Sequence, residues 1–170
     1  MLSSPMRRMA AASSPSAVSV CNLRPESRGT CHVRRRDPAE QPEIRLNYLS
    51  TERDRIVALR AVRQARRLAG ARALARYAPE ELLPGPTIVE DNALLQAIGD
   101  IATTIFHPVG TCRMGDRADA VVDDRLRVHG LAGLRIADAS VMPTIISGNT
   151  ASPVIMIAEK AAELIREART

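Results

Sequence analysis

The sequence predicts an α+β fold, in which helices are combined with short antiparallel strands. Two stretches, about 50–70 and 154–167, place apolar residues every three or four positions, which is the period of an amphipathic helix. Two others, 30–34 and 127–140, are short and lie beside turn-forming residues, as strands usually do. The chain has 170 residues, of which 45% are hydrophobic, and this is enough for one domain with its own core.

Residues 1–20 are expected to form a disordered tail before a domain that covers 21–170. This tail is rich in Ser, Ala and Arg and contains no acidic residue. The same composition is typical of a transit peptide, or of the start of a truncated reading frame, and these alternatives remain open. Prolines and glycines over 21–48 prevent a long helix, so we expect a short strand at 30–34 and a turn at Asp37-Pro38.

Two helices are predicted in the middle of the chain. The first begins at Ser50 or Thr51, either of which can cap it, and ends near Gly70. Its apolar face consists of Ile56, Leu59, Val62, Ala65 and Ala69. Proline-containing residues 78–88 interrupt the chain. The second helix is expected from about Glu90 to Ile105, with Asp91 or Asn92 near its cap.

The last third of the chain alternates loops with regular segments. The loop 107–115 has no period, and 127–140 is expected to form two short strands around a glycine-rich turn. A second loop at 147–153 leads into a final helix over 154–167. One face of that helix is predicted to be apolar and consists of Val154, Ile157, Ala158, Ala161 and Ile165.

The composition excludes several classes of protein. No apolar run approaches the roughly 18 residues of a membrane span, so a transmembrane protein is excluded. Aromatic residues make up only 2% of the chain, which argues against base stacking by a single-strand nucleic-acid binder. Three cysteines without a CxxC pair favour a reducing compartment, and we expect the cytoplasm. The three histidines lack metal-binding spacing, so no metal site is expected.

Charge is distributed unevenly along the chain, whose formal net charge is +5. Residues 1–80 carry sixteen arginines and seven acidic residues, whereas residues 81–170 are acidic overall. An arginine-rich half can indicate an anionic or nucleic-acid partner, here over residues 53–76. We favour the alternative that the arginines cover solvated helix faces, because they lie between apolar positions at helical spacing. No nucleic-acid partner is therefore expected.

Three positions carry side chains that could take part in chemistry. His107 lies in a loop of small residues and can act as a general base near neutral pH. Asn149 directly precedes the final helix, where free N–H groups and the helix dipole attract an electron-rich ligand. Asp138 ends a predicted strand, where a carboxylate can accept hydrogen bonds from sugar or polyol hydroxyls. Spacing alone is equally typical of ordinary structural residues. It is compatible with a loop histidine at His107, a helix cap at Asn149 and a turn aspartate at Asp138.

Six blocks of sequence occur in a specific order. They are LRPESRGT (23–30), NYLS (47–50), HPVGTCRMG (107–115), VVD (121–123), RVHGLAGLRIADASVMP (127–143) and SGNTASPVIMIAEKAAELI (147–165). Over about 21–168 the chain resembles the C-terminal portion of glucose–methanol–choline (GMC) oxidoreductases, in particular the choline-dehydrogenase-like alcohol dehydrogenases. These are FAD-dependent enzymes. The resemblance implies a partial substrate-binding domain, an antiparallel sheet with helices, completed by the last strand and helix of the FAD-binding domain.

The resemblance also implies roles for individual residues. His107 stands at the position of the catalytic histidine, which takes the hydroxyl proton of the alcohol as hydride leaves for flavin N5. Asn149 stands where the family has a second His or an Asn that hydrogen-bonds the substrate oxygen. Cys112 and His129 also match family residues, and we expect them to be structural. The residues implied in FAD binding are Asp138, Ala139, Asn149, Thr150 and Ala151.

The chain departs from the family in one large respect. Family members begin with a Rossmann-like unit whose GxGxxG motif holds the ADP half of FAD, and this sequence contains no GxGxxG. The resemblance is also weaker before Val18 and at 30–32. We therefore expect the C-terminal part of an FAD-dependent alcohol oxidoreductase that needs a missing N-terminal FAD-binding domain. Its substrate would be a small alcohol. The alternative is a catalytically inactive fragment, or a subunit of a split enzyme.

Overall fold

The computed structural model describes residues 18–168, so the predicted tail over 1–20 lies almost entirely outside the described residues. A two-stranded antiparallel sheet and three helices are the main elements, which confirms the predicted α+β class. Two 3-10 segments, Arg72–Tyr77 and Ala139–Val141, lie between them. The main elements are β1 (Thr30–His32), β2 (Glu43–Arg45), α1 (Glu52–Ala69), α2 (Asp91–Ile101) and α3 (Ala151–Glu167).

The sheet pairs β1 with β2, with Cys31 opposite Ile44 at its centre. The strand predicted at 30–34 is confirmed for its first three residues. β2 is not among the predicted elements, because three residues directly after Pro42 are too few to show an alternation of polar and apolar side chains. Gly29 is required before β1, since a Cβ atom there would collide with the carbonyl oxygen of Arg45.

Helix α1 begins and ends where the sequence predicts. Oγ1 of Thr51 accepts a hydrogen bond from the Asp54 N–H at 3.2 Å, and the Gly70 N–H donates to the Arg66 carbonyl at 2.9 Å. Its predicted apolar face is only half-buried, and Ile56 is exposed. This helix packs mainly on α2, which covers part of that face.

Asp54 is the buried residue of α1 and anchors the loop before β1. Its carboxylate accepts hydrogen bonds from the Glu26 N–H at 3.0 Å, the Ser27 N–H at 2.7 Å and Asn22 Nδ2 at 2.9 Å. Burial alone raises the pKa of Asp54, but the hydrogen bonds, led by those of Ser27 and Glu26, outweigh it and hold the pKa below its ordinary value. The charged form of this side chain therefore ties loop 22–27 to α1.

The segment 81–88 is fixed on α1 by one ion pair. Nε of Arg66 lies 2.9 Å from Oε2 of Glu81, and Nη2 lies 2.8 Å from Oε1. Nη2 also donates to the carbonyls of Gly85 and Ile88, each at 3.0 Å. The hydrogen bond from Arg66 lowers the pKa of Glu81. This guanidinium therefore holds an otherwise irregular segment at four points.

Other arginines of α1 also have partners within the chain. Arg53 pairs with Glu26, Arg63 with Asp91, and Arg55 donates to the carbonyls of Leu49 and Ser50. Guanidinium groups already engaged in this way are less available to a phosphate backbone. The pairing supports the interpretation of the arginines as surface structure.

Helix α2 starts as predicted, because Glu90 caps it by accepting a hydrogen bond from the Ala93 N–H at 3.0 Å. It ends at Ile101, four residues before the predicted end. The β-branched run 103–105 has low helix propensity, and Pro108 disfavours helical backbone just before it. Phe106, with a φ of +62°, then turns the chain into the loop 107–115.

The prediction of two strands over 127–140 is wrong. This segment, all of it described, forms isolated bridges, Arg127 with Arg135 and Val122 with Val128. Gly130 and Gly133 have φ values of +76° and +75°, so they make successive turns. Too few residues remain between these turns for strands to pair.

The core of the described chain lies where α3 packs on the segment 109–142. Helix α3 begins at Ala151, three residues before the predicted start, because proline is accepted in a first helical turn. The predicted apolar face needs a correction, since Ala158 and Ile165 are exposed and Leu164 is buried. The segment 109–142 covers only one row of α3 side chains, which consists of Ile157, Ala161 and Leu164. The buried cluster consists of Val122, Leu126, Val141, Met142, Ile157, Ala161 and Leu164.

Candidate active site

The loop 107–115 is held against the 3-10 helix Ala139–Val141. The Cys112 N–H donates to the Ser140 carbonyl at 3.1 Å, and the Met114 N–H donates to the Val141 carbonyl at 2.9 Å. Gly110 permits the close approach, because its φ is +84° and a Cβ atom there would lie 3.3 Å from the Met142 carbonyl oxygen. Fixed in this way, the loop brings the imidazole of His107 to the start of α3.

The start of α3 is organised by two neighbouring side chains. Oδ1 of Asn149 accepts a hydrogen bond from the Ala151 N–H at 2.9 Å. Thr150 is the N-cap residue, yet its hydroxyl makes no capping bond, although the residue is only 7% exposed. Since Asn149 performs the capping, the Thr150 hydroxyl is available to another partner.

Both ring nitrogens of His107 contact these two residues. Nδ1 lies 2.9 Å from Oγ1 of Thr150, and Nε2 lies 3.5 Å from Nδ2 of Asn149. The structure therefore brings together the two residues predicted to be catalytic, although 42 residues separate them in the sequence. A distance of 3.5 Å is at the limit of a hydrogen bond, so Nε2 is only weakly engaged.

Asp138 does not end a strand, which corrects the sequence prediction. It precedes the 3-10 helix Ala139–Val141 as its cap, and its Oδ1 accepts a hydrogen bond from the Ser140 N–H at 2.8 Å and another from the Ser140 hydroxyl. The side chain is exposed, and Ala139 beside it is half-buried. Asp138, Ala139 and His107 all line one large cavity.

This cavity is too large and too open for a small ligand alone. Its volume is about 3740 Å³, whereas small-molecule sites usually measure roughly 300–1,000 Å³. Phe106, directly before His107, is 80% exposed on the same cavity. Contiguous exposed apolar surface on a folded protein usually marks an interaction site. The described residues therefore form the wall of an open cavity, on which His107, Asp138 and Ala139 lie.

Other contacts near the site were not predicted from the sequence. The bond between Thr150 and the imidazole has no local signal, because a threonine at a helix start looks like an ordinary cap. Nε of Arg24 lies 2.6 Å from Oγ of Ser147 and so ties loop 22–27 to the loop before α3. Nε2 of His129 lies 3.0 Å from the Gly115 carbonyl oxygen, which fits the structural role expected for it.

Comparisons with known proteins identify the family of the chain. Residues 25–158 match the family model of the GMC oxidoreductase C-terminal domain. The chain is 42% identical over 146 residues to an alcohol dehydrogenase [acceptor] from Pseudomonas putida, a match that covers 86% of this chain and 26% of that protein. It is 44% identical over 148 residues to the oxygen-dependent choline dehydrogenase of Serratia proteamaculans, covering 87% and 27%.

A solved structure shows the same fold. An FAD-dependent oxidoreductase from Chaetomium thermophilum superposes with a TM-score of 0.80 at 27% identity, over 86% of this chain and 26% of that one. The chain thus spans about a quarter of the length of the relatives that it matches. The family match and these identities together show that the chain contains the C-terminal part of such a protein and belongs to the GMC oxidoreductase family.

Proposed function

We propose that the chain is the C-terminal catalytic part of an FAD-dependent oxidoreductase that converts a primary alcohol to an aldehyde. The observation that carries the proposal is the environment of His107. Its imidazole lines the open cavity while both ring nitrogens contact side chains at the start of α3. Membership of the GMC family supplies the reaction class, since the matched relatives are named alcohol and choline dehydrogenases.

The residues of this wall, together with the start of α3 beside His107, fit a flavin. The start of α3 carries the positive end of a helix dipole, which suits a ring system that gains negative charge. Asp138 is exposed on the cavity with one oxygen outside its bonds to Ser140, so it can accept bonds from sugar or polyol hydroxyls. FAD, when bound, would accept the hydride from the alcohol carbon. We propose Asp138, Ala139, Asn149, Thr150 and Ala151 as this chain's contribution to holding it.

In this proposal, the chain's own residues move one proton and hold one oxygen. Nε2 of His107 takes the hydroxyl proton of the alcohol, as a histidine can near neutral pH. Nδ2 of Asn149 donates a hydrogen bond to the same oxygen, so both groups converge on a single atom. The N-terminal end of α3 favours the negative charge that develops on that oxygen.

A second function is favoured by the size of the cavity. The described residues leave an opening of about 3740 Å³ with Phe106 exposed on it. A wall of this kind suits a protein that is inactive by itself and acts after pairing with a separate FAD-binding domain. In this alternative the chain is a subunit of a split enzyme or an inactive fragment.

Complementation separates a chain that contributes to catalysis, whether in one polypeptide or as a subunit of a split enzyme, from an inactive fragment. The chain is co-expressed with the Pseudomonas putida relative from which the matched C-terminal region has been removed. We expect the purified complex to retain flavin absorbance after desalting and to reduce an acceptor dye when primary alcohols are added. The intact relative is the positive control. A complex that holds flavin but oxidises none of the alcohols accepted by the intact relative would reject the catalytic role and favour the inactive fragment.

A further inference from the structure

We propose that Thr150 is a positioning residue that fixes the protonation state of the His107 ring, with the proton on Nδ1 and the lone pair on Nε2. The proposal rests on the function proposed for His107 as a base. A base at Nε2 needs its lone pair there, and a neutral imidazole carries its single proton on either nitrogen. What decides between the two nitrogens is the set of partners around the ring.

The orientation of the Asn149 amide is the first step. Its oxygen accepts the hydrogen bond of the Ala151 N–H at 2.9 Å, and a backbone N–H can only donate. The NH2 group of Asn149 is therefore the end that faces His107, with Nδ2 at 3.5 Å from Nε2. Turning the amide over would place two donors against each other at the start of α3.

The second step assigns the ring. Because Nδ2 of Asn149 is a donor, its contact with Nε2 favours the tautomer of neutral His107 that presents a lone pair at Nε2 and carries the proton on Nδ1. Nδ1–H then donates to Oγ1 of Thr150 at 2.9 Å, a normal length for this bond. In this arrangement all the bonds, from Ala151 through Asn149 and His107 to Thr150, can form at the same time.

The third step concerns why Thr150 is suited to this role. It is only 7% exposed, so water competes little for its hydroxyl. Its side chain makes no capping bond, because Asn149 caps the helix in its place. Its branched Cβ restricts χ1, which limits the directions that the oxygen can take. A buried, rigid acceptor beside Nδ1 holds both the proton and the plane of the ring.

The test reads the ring directly and needs neither FAD nor turnover. Long-range ¹H–¹⁵N spectra of the labelled full chain report which nitrogen of each histidine carries the proton. They are recorded about two units above the ordinary histidine pKa of about 6.5, so that the rings are neutral. His32→Ala and His129→Ala variants assign the signals. We expect His107 to carry its proton on Nδ1 in the native chain and in Thr150→Ser.

Two variants should change that state. Thr150→Val keeps the shape but removes the acceptor, and we expect a substantial population with the proton on Nε2. Asn149→Asp replaces the donor by an acceptor and should move the proton to Nε2. The intensity of α3 amide signals reports whether each variant folds. If Thr150→Val fails to fold, Asn149→Asp still provides the test, because it keeps the oxygen that caps α3. A native His107 protonated on Nε2, or one unaffected by both variants, would overturn the proposal.

In the complemented enzyme, Thr150→Val should lower kcat about 10- to 100-fold while Thr150→Ser restores most of it, since the wrong tautomer removes the base. An inactive complemented enzyme whose native chain shows Nδ1–H would reject the proposed function but leave the role of Thr150 standing. An active complemented enzyme whose His107 ring is protonated on Nε2 would support the proposed function but reject the role of Thr150.

Discussion

Nδ2 of Asn149 lies 3.5 Å from Nε2 of His107, and the same amide caps α3 through its oxygen. One side chain therefore links the stability of the helix to the placement of the imidazole. Substitutions at these two residues should separate catalysis from folding.

Replacing His107 by Ala should lower the turnover of the complemented enzyme about 10²- to 10⁴-fold, because the proposed base is removed. The rate of alcohol-dependent dye reduction measures it. His32→Ala is the matched control, since His32 is exposed on β1. Near-native turnover of His107→Ala would show that another group takes the proton.

Asn149→Ala should reduce the free energy of unfolding by about 1 kcal/mol, because the Ala151 N–H loses its acceptor. Urea unfolding of the full chain measures this change. Asn149→Asp retains an acceptor oxygen at the positive end of the helix dipole and should be at least as stable as Asn149→Gln. Equal stabilities of the native chain and the alanine variant would show that the cap is not needed.

Asp138→Ala should weaken flavin retention in the complemented enzyme, because the exposed carboxylate is the proposed acceptor for hydroxyl groups of the cofactor. The flavin-to-protein ratio after dialysis gives the result. Asp124→Ala, an exposed aspartate elsewhere on the surface, is the control for loss of charge. An unchanged ratio in the Asp138 variant would remove this residue from the proposed site.

Acid should release loop 22–27 through protonation of Asp54. The folded-state pKa of this carboxyl lies below its ordinary value of 3.8, so its stabilising contribution is complete well above that pH. The contribution is lost as the pH falls through the folded-state pKa, below 3.8. Urea unfolding at several pH values measures the effect. We expect Asp54→Asn to be less stable than the native chain at pH 7 and the difference to shrink in acid, whereas exposed Asp37→Asn should follow the native curve.

Arg66→Ala should expose the segment 81–88 to proteases, because five hydrogen bonds of that guanidinium hold it on α1. Limited proteolysis with mass-spectrometric mapping locates the new cleavage sites. Arg60→Ala removes an exposed arginine of the same helix and serves as the control. Identical digestion patterns for the two variants would contradict the role given to Arg66.

The sequence predicts elements where local signals are strong. Thr51, the acidic first turn and Gly70 define α1, and the structure agrees with all three. The sequence predicts the end of α2 at Ile105, which is too late. The apolar pattern continues past Ile101, but helix propensity falls over 103–105. Strands over 127–140 were expected from composition, but Gly130 and Gly133 turn the chain twice within four residues.

The site could be predicted only in part. His107 and Asn149 are 42 residues apart, and no periodicity relates them. The resemblance to GMC oxidoreductases indicates both residues. It does not indicate that the Thr150 hydroxyl faces the imidazole. That contact depends on which of two adjacent polar side chains caps α3, and either choice satisfies the local rules for a helix start.

The position of α3 after the segment that it packs on also affects the order of folding during synthesis. Three of the seven buried core side chains, Ile157, Ala161 and Leu164, come from this helix. A ribosome makes the segment 107–142 first, and that segment has no helix to pack against until α3 emerges. His107 therefore gains its two partners only after Asn149 and Thr150 have been made, and a nascent chain stalled before residue 149 would carry a histidine without either partner.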